Sequence, residues 1–158
     1  MAKRMRKFRI LCYNENDVYN DRLALQELRH SLDIDTELIC ETKLPTWFNG
    51  GNPGYRTYNT RGPNPIYGRT AVLVRSNIHH VEGKIPMMYS LQVTAIMVDL
   101  EGLETVIGAV YRSPSKPLDE GDMDTLIGLS KSKKFIFGGD LIAKNTDWNS
   151  RLVLANLS

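Results

Sequence analysis

This sequence has no long apolar run, few cysteines and no large excess of either charge. The apolar segment Phe8 to Tyr13 gives way to polar residues at 14–17, so neither a signal peptide nor a membrane-spanning segment is expected. Cys12 and Cys40 both lie in apolar, strand-like segments, which predicts buried free thiols. The 20 basic and 18 acidic residues leave a net charge of +2, too small to indicate a nucleic-acid binder by itself. A soluble intracellular protein, nuclear or cytoplasmic and not secreted, is therefore expected.

Internal repeats, low-complexity segments and a dividing linker are also missing, which predicts one compact domain. The length of 158 residues and the hydrophobic content of 42% are sufficient for a core. Residues 1–7 are rich in lysine and arginine and are expected to form a basic tail, which either steers a phosphate backbone or is simply solvated. The domain is expected over residues 8–158.

Hydrophobic periodicity predicts a mixture of strands and helices. The expected strands are Phe8 to Tyr13, Thr36 to Cys40, Tyr55 to Asn59, Thr70 to Arg75, Leu91 to Leu100, Glu104 to Tyr111 and Lys134 to Phe137. One amphipathic helix is expected over 21–32, with Leu25, Leu28 and Leu32 packing on a sheet, and a second carries Met123, Leu126, Ile127 and Leu129. The three strands between Thr70 and Tyr111 are expected to be antiparallel neighbours, and Trp148 to Leu157 to form a short helix or a tail. This mixture predicts an α/β layered sandwich.

Four polar residues stand at predicted strand ends: Asn14, Glu41, Tyr111 and Asp140. Strand ends collect active sites because the backbone leaves the sheet there while the strand still fixes the side chain. A carboxylate such as Glu41 is a hard oxygen ligand suited to Mg²⁺, and a second one such as Asp140 can orient an attacking water. Asn14 can hold a water or a phosphate oxygen, and the Tyr111 hydroxyl can donate to a phosphate.

On spacing alone, a structural interpretation of the same four residues is favoured over the catalytic one. In that interpretation Asn14 caps a turn and Glu41 is solvated. Tyr111 is then a core residue with a wet hydroxyl, and Asp140 closes a glycine-rich loop. The catalytic interpretation therefore needs support beyond the spacing.

Four motifs in order carry a family resemblance: Ile10 to Asn16, Leu38 to Leu44, Gly108 to Pro114 and Phe137 to Lys144. Together they resemble the successive motifs of the endonuclease/exonuclease/phosphatase superfamily. The segments Tyr67 to Leu73 and Asn145 to Arg151 are similar to the Gly-Gly-Thr-Ala strand and the Trp-Gly-Ser-Arg signature of its jockey-type non-LTR retrotransposon endonucleases. The likeness runs from about Phe8 to Arg151.

The resemblance implies a four-layer α/β/β/α sandwich whose C-terminal part is missing, so that residues 8–158 form a partial domain. It implies nicking of DNA with Mg²⁺, or with Mn²⁺ in its place. By this resemblance Asn14 and Asn16 match the first polar motif and Glu41 the metal-binding glutamate. Tyr111 then matches the catalytic-loop tyrosine, and Asp140 the aspartate near the attacking water.

Two departures from the family pattern weaken the catalytic interpretation. Ile142 stands where the Asp-x-Asn motif has an asparagine, and losing one such donor typically costs about two to three orders of magnitude in rate. The family's Ser-Asp-His motif has no counterpart, because the last histidine is His80. His30, on the first predicted helix, and His79 and His80, in a predicted connection, are expected to be structural or surface residues.

Three hypotheses follow from these observations. The first is a metal-dependent DNA endonuclease domain that is weak or inactive as this isolated chain. The second is a catalytically silent nucleic-acid-binding or protein-interaction module, with a groove lined in part by Arg61, Arg69 and Arg112. The third is a remnant that self-associates through an exposed sheet edge.

Overall fold

The computed structural model describes residues 7–14, 18–42, 52–60, 69–131 and 133–141. Within these ranges the elements in chain order are β1 (Ile10–Asn14), α1 (Val18–Leu32), β2 (Thr36–Cys40), β3 (Tyr55–Asn59), β4 (Thr70–Arg75), β5 (His80–Glu82), β6 (Leu91–Leu100), β7 (Leu103–Arg112), α2 (Glu120–Gly128) and β8 (Lys134–Asp140). A 3₁₀ turn, Leu129–Lys131, follows α2. No helix in these ranges is long and apolar enough to cross a membrane.

The strands form two four-stranded sheets, ordered β1-β2-β4-β3 and β5-β6-β7-β8. In each sheet one pair of strands is parallel, β1 with β2 and β7 with β8, and a helix lies between the paired strands in sequence. A parallel pair needs such a crossover, since a short turn can only reverse the chain. The carboxyl ends of the paired strands consequently lie side by side, Asn14 next to Cys40 and Tyr111 next to Asp140.

The two sheets pack face to face over the main core, which contains Leu38 and Val72 from the first sheet and Ile96 and Ile107 from the second. On the outer face of the first sheet, Leu25 of α1 packs against a cluster of Ile39, Ala71 and Leu73. On the outer face of the second, Leu126 of α2 is buried with Leu91, Val93 and Val110. The layers are therefore α/β/β/α, and the predicted sandwich is confirmed.

The packing face of α1 differs from the predicted one. Leu28 and Leu32 are 40% and 45% exposed, whereas Arg29 is 2% exposed. The reason lies beneath the helix, where Glu37 occupies the middle of β2 and is fully buried. The Arg29 guanidinium bonds this carboxylate at 2.8 Å, so an ion pair rather than a leucine stripe joins the end of α1 to the sheet.

The predicted neighbourhood of β4 is wrong. Thr70–Arg75 lies between β2 and β3 in the first sheet, and the chain passes to the second sheet through the turn that follows it. A run of alternating apolar residues predicts a strand but not which sheet receives it. The pairing of β6 with β7 is confirmed as a hairpin. Glu101 and Gly102 form its two-residue loop with φ values of 59° and 82°, as a primed hairpin turn requires.

The cysteines and histidines lie only partly where the sequence predicts. Cys40 is buried as predicted, but Cys12 is exposed, because β1 is an edge strand of its sheet. His30 lies on α1 as expected. His80 was expected in a connection and instead begins β5, where its Nε2 lies 2.8 Å from the Tyr58 hydroxyl of the opposite sheet. A strand of three residues gives too short a pattern to be predicted.

Candidate active site at the rim of the two sheets

The four polar residues predicted at strand ends meet at one rim of the sandwich. Asn14 ends β1 and Glu41 follows β2, both in the first sheet. Tyr111 lies near the end of β7, and Asp140 is paired beside it at the end of β8 in the second sheet. The two parallel pairs deliver these residues because their carboxyl ends point to the same edge.

Asn14 links the two sheets at this rim. Its amide nitrogen, Nδ2, donates to Glu41 Oε1 at 3.4 Å and to Asp140 Oδ2 at 3.4 Å. Both distances exceed the usual range of about 2.7–3.2 Å, so the amide holds the two carboxylates loosely. One side chain from the first sheet therefore contacts both Glu41 and the acid of the second sheet.

Glu41 has an unusual backbone conformation. Its φ of 57° places it in the left-handed region, which a residue with a side chain adopts at a cost of about 1–3 kcal/mol. The conformation turns the chain sharply at the end of β2, immediately after the buried Cys40. Strain of this kind is typical of residues whose side-chain direction matters to a site.

Tyr111 is 2% exposed, and its phenol contacts the exposed Arg69 at the start of β4. The Arg69 guanidinium carbon lies 5.8 Å from the ring centroid, within cation–π range, and the guanidinium also hydrogen-bonds the hydroxyl. Burial raises the pKa of Tyr111, and the charges of Glu41 and Asp140 raise it further, while Arg69 opposes them. Tyr111 is therefore protonated at neutral pH and can donate a hydrogen bond.

Two glycines of β8 allow the sheets to approach each other below the rim. A Cβ added to Gly138 would lie 2.7 Å from the Cys12 sulfur, and one added to Gly139 would overlap the carbonyl oxygen of Val110. The Cys40 thiol donates to the same carbonyl at 3.3 Å. Burial, with the nearby carboxylates, raises the pKa of Cys40 to about 12, so this thiol is a neutral packing group.

Of the other residues singled out in the sequence, Arg112 is described by the structure and three are not. Arg112 ends β7, where its Nε donates to the Leu141 carbonyl at 2.7 Å and its Nη1 to the Lys116 carbonyl at 3.2 Å. It therefore braces the loop after β7 against the end of β8. Asn16, Arg61 and Ile142 lie outside the described residues, as does the segment Trp148 to Leu157.

The oxygen donors at the rim fit a magnesium ion. Within the described ranges, no three His, Cys, Asp or Glu side chains are grouped so that they could hold a metal. Mg²⁺ usually takes one or two carboxylates and completes its shell with water and phosphate oxygens. Glu41 and Asp140, joined through one amide, offer that kind of donor set, and their charges act together on Tyr111.

Sequence reasoning missed the neutral polar groups beside this cluster. Thr60, Thr70 and Thr94 hydrogen-bond one another through their hydroxyls, bridging the two sheets. Gln92 is paired with Tyr111 in the β6–β7 register. Nothing in the local pattern marks these residues, because an isolated threonine or glutamine in or beside a strand is common in strands of any function.

No model of a known protein family matches the sequence. The probable RNA-directed DNA polymerase from transposon BS of Drosophila melanogaster is 24% identical over 147 residues, which are 91% of this chain and 16% of that protein. This chain therefore spans about one sixth of that relative.

Several solved structures share the fold. The endonuclease domain of TRAS1, a telomere-specific non-LTR retrotransposon, gives a TM-score of 0.71 at 19% identity, covering 89% of this chain and 63% of that one. TDP2 of D. rerio, in complex with a single-strand DNA product, gives 0.62 at 12%, with 90% and 63% covered. A protein of Leptotrichia buccalis described as belonging to the endonuclease/exonuclease/phosphatase family gives 0.58 at 15%, with 85% and 66% covered. At these identities the likeness establishes the fold.

Proposed function

This chain has the fold of the endonuclease/exonuclease/phosphatase superfamily, and we propose that it is a DNA endonuclease domain derived from a non-LTR retrotransposon. The proposed reaction is hydrolysis of one phosphodiester bond with Mg²⁺, or Mn²⁺ in its place. The observation that carries the proposal is the Asn14 amide, which lies 3.4 Å from the carboxylates of both Glu41 and Asp140. Two carboxylates brought together repel each other, and a bound cation would offset that repulsion.

The proposed roles follow from chemistry and position. Glu41 holds the metal ion, which when bound polarises the phosphoryl oxygen and steadies the leaving group. Asp140 accepts a proton from the attacking water and orients it, while Asn14 keeps the two acids at their separation. Tyr111 donates its hydroxyl hydrogen to a non-bridging phosphate oxygen as charge builds there.

Basic residues would provide the contacts with the DNA backbone. Arg69 is exposed and lies against Tyr111, so its guanidinium can pair with a phosphate next to the one being cut. Asn16, Arg61 and Arg112 are also proposed to contact the nucleic acid. Two proteins of similar fold support this, since one is an endonuclease domain and the other is bound to a single-strand DNA product.

The test is nicking of supercoiled plasmid with Mg²⁺, with Mn²⁺ and with EDTA. Glu41→Gln and Asp140→Asn keep the side-chain shape and remove the charge, and each should lower the nicking rate at least a hundredfold. Glu82→Gln on β5 and Asp124→Asn on α2 are matched controls, because both residues are exposed and lie away from the rim. Equal rates in the two pairs of variants would refute the assignment.

A catalytically silent nucleic-acid-binding module is the second candidate function. The observation that favours it is Ile142, which stands where the resembling family has an asparagine and cannot donate a hydrogen bond. A folded chain that binds duplex DNA in EDTA but never nicks it in Mg²⁺ or Mn²⁺ would identify this candidate. Binding that needs Arg69 but is unaffected by Asp140→Asn would support it further.

A further inference from the structure

We propose that Gln92 forms a second substrate contact beside the rim, where its side-chain amide binds a nucleotide flanking the scissile phosphate. The inference rests on the proposed function, because it takes DNA to be the ligand. It adds a neutral, hydrogen-bonding subsite beside the charged residues Glu41, Asp140 and Arg69.

The position of Gln92 in its strand places it inside the cleft between the sheets. Its neighbours Leu91 and Val93 point to the outer face, where they are buried with Leu126 of α2. Side chains alternate along a strand, so Gln92 points to the opposite face, toward the first sheet. Thr94, two residues on, confirms this direction by bonding Thr70 of that sheet at 2.8 Å.

Gln92 is also next to a proposed catalytic residue. It is the register partner of Tyr111, and partners in an antiparallel pair carry their side chains on the same face, with Cβ atoms about 4.5–5.5 Å apart. Asp140 lies one strand beyond Tyr111 on the other side. Along the rim of the second sheet the order is therefore Asp140, Tyr111 and Gln92.

The amide of Gln92 is incompletely satisfied. Its Oε1 is buried and has no hydrogen-bond partner in the part of the chain that the structure describes. Leaving such a buried acceptor without a partner costs about 1–3 kcal/mol, and most buried polar atoms in proteins avoid that cost. The nearby threonines do not supply the bond, because their hydroxyls bond one another across the sheets. A leucine would fill the position without this penalty, so a glutamine there needs another reason.

A nucleotide is the ligand that fits this position. Adjacent strands lie about 4.8 Å apart, so Gln92 on β6 is roughly 10 Å from Asp140 on β8 along the rim. DNA rises about 3.4 Å per nucleotide, which puts Gln92 within about three nucleotides of the bond being cut. A glutamine amide can donate and accept at once, which suits a base edge or a sugar-phosphate group.

The test compares Gln92→Leu with Gln26→Leu, a matched substitution on α1 in the outer helical layer. For each variant we would measure the melting temperature, the dissociation constant for a duplex oligonucleotide in EDTA, and the positions of nicks on plasmid DNA. We expect Gln92→Leu to melt at or above the wild-type temperature and to bind DNA about two- to tenfold more weakly, the loss of about one hydrogen bond. Gln26→Leu should leave DNA binding unchanged.

The changes in melting temperature and in DNA affinity distinguish a substrate contact from a structural residue. A structural Gln92 would lower the melting temperature when replaced and leave the affinity unchanged, and that result would overturn the inference. A second variant, Gln92→Glu, keeps the shape and the acceptor but removes the donors and adds a negative charge, so it should weaken binding more than Gln92→Leu. The nick positions distinguish a base contact, which changes the sequence preference, from a backbone contact, which lowers all sites equally.

Failure of this inference can be told from failure of the proposed function. A chain that nicks DNA normally with Gln92→Leu, at the same sites and with the same affinity, would refute the subsite alone. A chain that never nicks but binds DNA more weakly with Gln92→Leu would keep the subsite and refute the catalysis. A folded wild-type chain that binds no DNA would refute both.

Discussion

Replacing Arg29 by methionine tests whether an ion pair joins α1 to the first sheet. The guanidinium donates through Nη1 to Glu37 Oε2 at 2.8 Å and through Nη2 to Asn52 Oδ1 at 2.7 Å. Arg29 is 2% exposed and Glu37 is fully buried. Methionine has a similar length and no charge, so Arg29→Met leaves the carboxylate buried. Among the described residues, the Tyr13 hydroxyl, at 3.3 Å, is then the one remaining side-chain donor to it.

The expected loss is large relative to the stability of a small domain. Removing one partner of a buried ion pair typically costs about 3–5 kcal/mol, because the remaining charge is uncompensated. Domains of this size are stable by about 5–15 kcal/mol, so Arg29→Met should lower the urea midpoint by about a fifth or more. The double variant Arg29→Met with Glu37→Leu should recover most of the loss, since it leaves no buried charge.

The loss of stability in Arg29→Met should also depend on pH. Burial raises the pKa of Glu37 above its ordinary value of 4.5, with Arg29 and Tyr13 opposing the shift. The folded chain therefore binds the proton more tightly than the unfolded chain, and stability falls as pH rises through the folded pKa. Without Arg29 this pKa rises further, so the deficit of Arg29→Met should be larger at about pH 8 than at about pH 5.

The measurement is urea unfolding followed by far-UV circular dichroism at both pH values. Arg56→Met on β3 is the control, because Arg56 is an exposed arginine of the same sheet. An Arg29→Met deficit within about 0.5 kcal/mol of that control would refute the reasoning, because surface substitutions usually lie in that range. A deficit that is the same at both pH values would show that the loss comes from packing and not from the charge of Glu37.

Two further predictions concern β8 and the thiols behind the rim. In the folded chain a thiol reagent should modify the exposed Cys12 and not the buried Cys40, whose pKa is raised to about 12. Both thiols should react in urea. Modification of two thiols in the folded chain would contradict the packing. Gly139→Ala should destabilise the chain by about 1–3 kcal/mol and reduce nicking, because the added methyl group overlaps the Val110 carbonyl and forces β8 away from β7. Gly128→Ala, where a Cβ meets nothing within 4 Å, is the matched control and should be neutral or slightly stabilising.

The strands were predictable from the sequence because their signals are local. Thr36–Cys40, Tyr55–Asn59, Thr70–Arg75 and Leu91–Leu100 have the predicted bounds, since each is an apolar or alternating run ended by turn-forming or charged residues. The convergence of Asn14, Glu41, Tyr111 and Asp140 also follows from local facts once the parallel pairing is known. The order of strand, helix and strand in the sequence predicts that pairing, and the structural comparisons confirm the fold.

The features that the sequence did not reveal all depend on contacts between distant segments. Nothing next to Arg29 in the sequence indicates that it is buried, because its partner Glu37 lies eight residues later in the next strand. The apolar segment around Cys12 predicts a buried thiol, because the sequence does not show that β1 lies at the edge of its sheet. The placement of β4 in the first sheet depends on how the whole chain divides its strands, which no window of residues can report.

The distribution of the site over two sheets links its geometry to the packing between them. Asn14 and Glu41 belong to the first sheet, whereas Tyr111 and Asp140 belong to the second, and no backbone hydrogen bond of either sheet fixes the distance between the two pairs. That distance depends on the buried side chains of the core and on Gly139, whose missing side chain lets β8 lie against β7 and the Cys40 thiol. Close-packed interiors respond to a change of even one methylene group. A substitution deep in the core can therefore separate Asn14 from Asp140 and reduce the proposed activity while every rim residue is still present.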